Sequence, residues 1–76
     1  MEIIGYRRSD FTAQDSGERV EGFNIYLSSM HDEVVGLMCD RIFVTLKKLG
    51  GYVPQLGDSV VIHYNKYGKI ASLIIN

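Results

Sequence analysis

Glu18-Arg19-Val20-Glu21-Gly22-Phe23-Asn24-Ile25-Tyr26-Leu27-Ser28-Ser29 is the stretch whose reading decides the fold. Phe23, Ile25 and Leu27 alternate with Asn24, Tyr26 and Ser28, the two-residue period of a strand with one buried and one polar face. Turn chemistry brackets it. On the N-terminal side, Gln14-Asp15-Ser16-Gly17 reads as a type I turn closed by a left-handed glycine, because Asp hydrogen-bonds the turn backbone and Gly tolerates positive φ. That turn separates the stretch from a first strand over about Glu2 to Ala13. On the C-terminal side, Met30-His31-Asp32-Glu33 is the next turn.

A third strand follows, over about Val34 to Thr45. Val34, Met38, Ile42 and Val44 fall on one of its faces, and Val35, Leu37, Cys39, Arg41 and Phe43 on the other. An even-length loop aligns the apolar sets of the second and third strands on one side, which becomes the core. Tyr26, Arg41 and Phe43 then share the opposite face. Leu46 to Gly57, with Gly50-Gly51, Pro54 and Gly57, is irregular and admits at most one short helical turn within Val44 to Leu49. The fourth strand is Asp58 to Tyr64 and the fifth Lys69 to Ile75, joined by Asn65-Lys66-Tyr67-Gly68, a second turn with a left-handed glycine.

This succession predicts an all-β chain in which residues 1–76 form a single domain. Closure removes exposed strand edges, so the expected architecture is a small five-stranded OB-like barrel, with an SH3-like barrel as the alternative. The 46% hydrophobic content supplies one thin core, and a second copy of the chain packed against it would add stability. The single cysteine, Cys39, makes no intramolecular disulfide. The opening residues lack the basic-then-apolar order of a secretory signal, and no apolar run reaches the roughly 18 residues of a membrane span. The expectation is a cytoplasmic protein without a membrane partner.

Catalytic chemistry has no foothold in these residues. His31 and His63 are the only histidines, and no His-x-x-His or Cys-x-x-Cys spacing occurs, so no metal site is assigned. His31 reads as a solvated turn residue, His63 as a strand residue, and Cys39 as a half-buried small hydrophobe. Gly50-Gly51 is not followed by Lys-Ser/Thr and a helix, so it is not a phosphate-binding loop. Neither an enzyme, a cofactor nor a small-molecule substrate is expected.

A binding surface is better represented. Single-stranded nucleic acid is held by cations that follow phosphates and by aromatic rings on which bases stack. Arg7 and Arg8 on the first strand, Tyr26 on the second, Arg41 and Phe43 on the third, and Lys66, Tyr67 and Lys69 at the last hairpin supply both. Each has a structural reading as well: Phe11, Phe43 and Tyr64 fit the end of a barrel, Arg7-Arg8 fits a solvated strand edge, and Lys47-Lys48 fits an exposed loop. Tyr26 and Tyr67 are the hardest to place in a core. The net charge of −1 speaks against a surface that is basic throughout and leaves room for a local basic face.

Phe11-Thr12-Ala13-Gln14-Asp15-Ser16-Gly17, followed by Gly22-Phe23-Asn24-Ile25-Tyr26, resembles the opening hairpins of the filamentous-phage single-stranded DNA-binding proteins. Pro54-Gln55-Leu56-Gly57-Asp58 and Tyr67-Gly68-Lys69 resemble segments of small proteins from Gram-positive phages and conjugative elements. The resemblance implies an OB-like barrel, a homodimer, and sequence-tolerant binding of single-stranded DNA in phage or mobile-element replication or transfer. It implies that Tyr26, Arg7, Arg8 and Tyr67 contact the strand. The chain is shorter and more acidic than that family. The alternatives are binding of RNA, and an adaptor or small structural subunit whose aromatic face meets a partner protein.

Overall fold

Three strands and two strands form separate antiparallel sheets in the computed structural model, which describes residues 1–75. The first sheet runs in the order β1 (Glu2–Thr12), β2 (Arg19–Met30), β3 (Leu37–Thr45), and the second pairs β4 (Val60–Tyr64) with β5 (Ile70–Ile75). A single helical turn, α1 (Leu46–Leu49), lies between β3 and β4. The all-β reading stands, whereas the five strands do not close into one barrel.

The turns behave as their residues dictate. Gly17 and Gly68 both take positive φ, at 72° and 75°. In the last hairpin the Asn65 side-chain oxygen accepts from the Tyr67 and Lys69 amides at 2.9 and 3.0 Å, fixing the turn that Gly68 completes. The middle turn is longer than expected. The His31 carbonyl accepts from the Val34 amide at 3.0 Å and Gly36 is left-handed, so β3 begins at Leu37 rather than Val34. Val34 and Val35 are therefore loop residues and exposed, not core-facing. The loop between β2 and β3 keeps an even length, which preserves the alignment of the two apolar sets. Ile25 stands opposite Ile42 and Phe23 opposite Val44.

One face of the three-stranded sheet carries Ile3, Ile25, Leu27 and Val44, all essentially inaccessible, and packs against Val60 and Ile62 of β4 and Leu49 of α1. Burial of such side chains is worth about 1.5–3 kcal/mol each, so this small cluster is what holds the two sheets together. The helix starts at Thr45, whose hydroxyl oxygen accepts from the Lys48 amide at 3.3 Å, and stops at left-handed Gly50.

The sheets also meet along the backbone. The Ile3 amide donates to Asp58 and the Gly57 amide to Ile3, both at 2.9 Å, and the Val60 amide donates to Met1 at 2.8 Å. Asp58 and Ser59 belong to this joint rather than to a strand proper, and Ser59 forms one bridge with Glu2. The Tyr52 hydroxyl and the Asp58 carboxylate lie 2.5 Å apart and anchor the irregular segment to the same place. Beyond the last rung with β3, at Gly22–Thr45, the β1–β2 pair continues alone as a two-stranded arm down to Thr12–Arg19.

Candidate nucleic-acid interface

Pairing fixes which side chains share a face, because residues directly opposite in neighbouring strands point the same way. On the side away from the core, one rung holds Gly5, Tyr26 and Arg41, the next Arg7, Asn24 and Phe43, and the next Ser9, Gly22 and Thr45. Phe11 and Val20 continue the same face onto the arm. From Tyr26 to Phe11 the face thus carries two arginines and three aromatic rings and no acidic side chain. Glu2 stands beside Ser28 at one limit, and Glu18 sits at the arm tip at the other.

Two glycines shape the surface. A Cβ on Gly5 would meet the Tyr26 ring at 3.5 Å, so that ring lies over the neighbouring strand. A Cβ on Gly22 would collide with the Val44 carbonyl oxygen and would fall 2.7 Å from Phe43 Cζ, so the Phe43 ring covers the Gly22 backbone. Rings laid along the sheet keep one face outward. Tyr26 remains 36% exposed and Phe11 49% exposed. The Phe11 and Phe43 centroids are 5.6 Å apart at a tilt of 50°, within the range of favourable aromatic pairs.

Arg7 and Arg41 make no salt bridge among the described residues. Arg8 differs. It points to the opposite face, where its Nε donates to Asp10 at 2.8 Å and its guanidinium lies 3.7 Å from Glu21 and 5.8 Å from the Phe23 ring centroid. Arg19 adds contacts to Asp10 at 3.5 Å and Glu21 at 3.4 Å. The hydrogen bond to Asp10 raises the Arg8 pKa, and the same bond holds the Asp10 carboxyl below its usual range. The reverse of the arm is therefore a charge-balanced lattice of two cations and two anions, and the expected pair Arg7-Arg8 is split between the two faces.

The remaining expected residues lie on the other sheet. Lys66, Tyr67 and Lys69 are exposed at the β4–β5 hairpin, where Tyr67 is 73% accessible. The Lys66 ammonium sits 5.1 Å from the Tyr67 ring centroid, so one face of that ring already has a cation over it. Among the described residues no aromatic or cation–π pair joins this tip to Tyr26 or Phe43. Tyr64 is exposed rather than filling an end of the core.

The set read from the sequence omits Phe11, although the alternation of Arg7, Ser9 and Phe11 places it with Arg7 on a strand. The His31 ring nitrogen Nδ1 accepts from the Glu33 amide at 3.2 Å, a turn-capping role, and Cys39 is exposed on β3 rather than half-buried. The described residues contain no cluster of three or more His, Cys, Asp or Glu side chains placed to share a metal ion, and no helix long and apolar enough to cross a membrane. A shallow groove beside the arm, lined by Glu18, Val20, Glu21, Leu46 and Lys47, mixes acidic, basic and apolar groups and selects for no single ligand. Comparison with protein-family models, with curated proteins and with solved structures gives no match to this chain.

Proposed function

We propose that the chain binds single-stranded DNA across the outer face of the three-stranded sheet, without chemistry and with tolerance of sequence. One observation carries the reading: on a protein of net charge −1, the face from Tyr26 to Phe11 collects aromatic rings and unpaired guanidinium groups and excludes every carboxylate. Phosphates lie along Arg7 and Arg41, and bases stack on Tyr26 and Phe43. Arg8, held by Asp10 and Glu21, supports the arm instead of the strand. Lys66, Tyr67 and Lys69 serve a longer strand as a separate second contact.

The strand order, the helix between β3 and β4, and the backbone joint between Ile3 and Gly57–Asp58 support an open OB-like arrangement, a fold whose second and third strands present such a face. The resemblance of the first hairpins to the phage proteins agrees with a homodimer acting in phage or mobile-element replication or transfer. A second reading, docking to a partner protein, is favoured by the exposed Met30, Val35 and Leu37 at the β2–β3 end.

The test is a fluorescence-anisotropy titration of labelled oligo-dT at several salt concentrations. Neutralising two phosphates with Arg7 and Arg41 gives a log–log salt slope of about −1.4, from about −0.7 per phosphate. Tyr26→Ala weakens binding by roughly 1–3 kcal/mol. Absence of binding at low salt and high protein concentration excludes the single-strand reading and leaves the adaptor.

A further inference from the structure

We infer that the DNA path does not stop at the edge of the three-stranded sheet but continues onto the projecting β1–β2 arm, where Phe11 is its outermost stacking residue. The inference rests on the single-strand reading above and adds a residue and a direction to it. Tyr26, Phe43 and Phe11 descend the same face in order, from the Gly5 rung through Asn24 to the Val20 rung. Six residues of strand separate the first rung from the last, about 20 Å at roughly 3.3 Å per residue. Phe43 bridges the interval, since its ring reaches over Gly22 and comes within 5.6 Å of the Phe11 ring.

Phe11 has no core to join. The arm's other face carries Asp10, Thr12, Arg19 and Glu21, its charged groups paired with one another and with Arg8 from the adjoining three-stranded rung, and β3 ends before reaching the Phe11 rung. An aromatic side chain half exposed on a two-stranded arm is held there by Phe43 alone among aromatic neighbours. The ion lattice stiffens the arm from behind without adding net charge to it, which leaves base stacking, rather than phosphate attraction, as the contact the arm offers. Glu18 at the arm tip repels phosphate and sets the limit of the path beyond Phe11.

The chain contains no tryptophan, so Phe11→Trp introduces a single local reporter that keeps a ring in place. The variant is titrated with oligo-dT of about 4 and about 12 nucleotides, the short and longer parts of the range that one such domain covers. Phe11→Ala is titrated in parallel by anisotropy, with circular dichroism to verify folding. The expected result is quenching of the tryptophan by the longer oligonucleotide, and a loss of affinity for it in Phe11→Ala of roughly 5- to 150-fold, with little change for the short one. Binding by the wild type together with an unquenched Phe11→Trp variant and an unchanged Phe11→Ala variant overturns the path while leaving the face intact. If the wild type binds neither oligonucleotide, the single-strand reading fails and this inference fails with it.

Discussion

At the scale of single residues, the contrast between Arg7 and Arg8 is the sharpest consequence of the fold. They are neighbours in sequence with the same side chain, yet one faces Asn24 and Phe43 and the other is held by Asp10 and Glu21. Arg7→Ala should reduce the magnitude of the salt slope of oligo-dT binding by about 0.7, the share of one phosphate. Arg8→Ala should leave that slope unchanged, measured in the same titration. Equal changes in both variants would mean that DNA meets the edge of β1 rather than one face. Tyr52 makes a second residue-scale statement. Burial, together with its hydrogen bond to the Asp58 carboxylate, pushes its phenol up to about 12. The neutral phenol is the form the fold favours, so this stabilisation is present in full below the ordinary tyrosine range near pH 10 and is lost as pH rises through about 12. Ultraviolet titration of the phenols should show one of the five tyrosines ionising late, and Tyr52→Phe should remove that component.

Elements add what residues lack, a shared face. Gly22 shows how tightly that face is built, since any side chain there strikes the Val44 carbonyl on the neighbouring strand and the Phe43 ring. Gly22→Ala should destabilise the protein by about 1–3 kcal/mol, the usual cost of overpacking, and displace Phe43 from its place on the sheet. Urea denaturation measures the first effect and oligo-dT affinity the second. Stability unchanged by this substitution would mean that β2 and β3 separate at this rung without cost. Much of this level was legible in advance. The two-residue period of Phe23, Ile25 and Leu27 and the left-handed positions of Gly17 and Gly68 are local matters, fixed by strand geometry and backbone sterics. Val34 and Val35 were not legible in that way. Their β-branched side chains suit a strand, but Gly36 and the bond from Val34 to His31 turn the chain there, and turn geometry overrides propensity.

The whole molecule is long and uneven, 43 Å by 26 Å by 19 Å, and its two sheets differ in how they are held. β2 is paired on both sides and carries two essentially inaccessible residues, Ile25 and Leu27, whereas β5 pairs only with β4 and carries no fully buried residue among those described. Global stability is therefore expressed most fully in β2. Amide hydrogen exchange should be slowest at Ile25 and Leu27 and distinctly faster along β5. Uniform protection across both sheets would indicate that β5 is covered in solution, as it would be in a dimer that pairs its free edge, and sedimentation at several concentrations would distinguish that case.

The sequence by itself determined that there are five strands, the turns at Gly17 and Gly68, and the division of β2 into two faces, because alternation and turn sterics act over a few residues; the starts of β3 and β4 lie later than it indicates. It placed Tyr26, Arg41 and Phe43 together, and the structure agrees in bringing them to one face. It also contained the signal that separates Arg8 from Arg7, since Arg8 and Asp10 are two apart and so share a face on any strand. Only the tertiary structure decided that the sheets meet through a joint at Ile3 and Asp58 instead of closing, that Gly5 and Gly22 receive the rings of Tyr26 and Phe43, and that Phe11 stands on an arm outside the core. Those outcomes depend on register, strand length and packing between residues far apart in the chain. No local pattern encodes them, because the free energy that selects them is released only when distant surfaces meet.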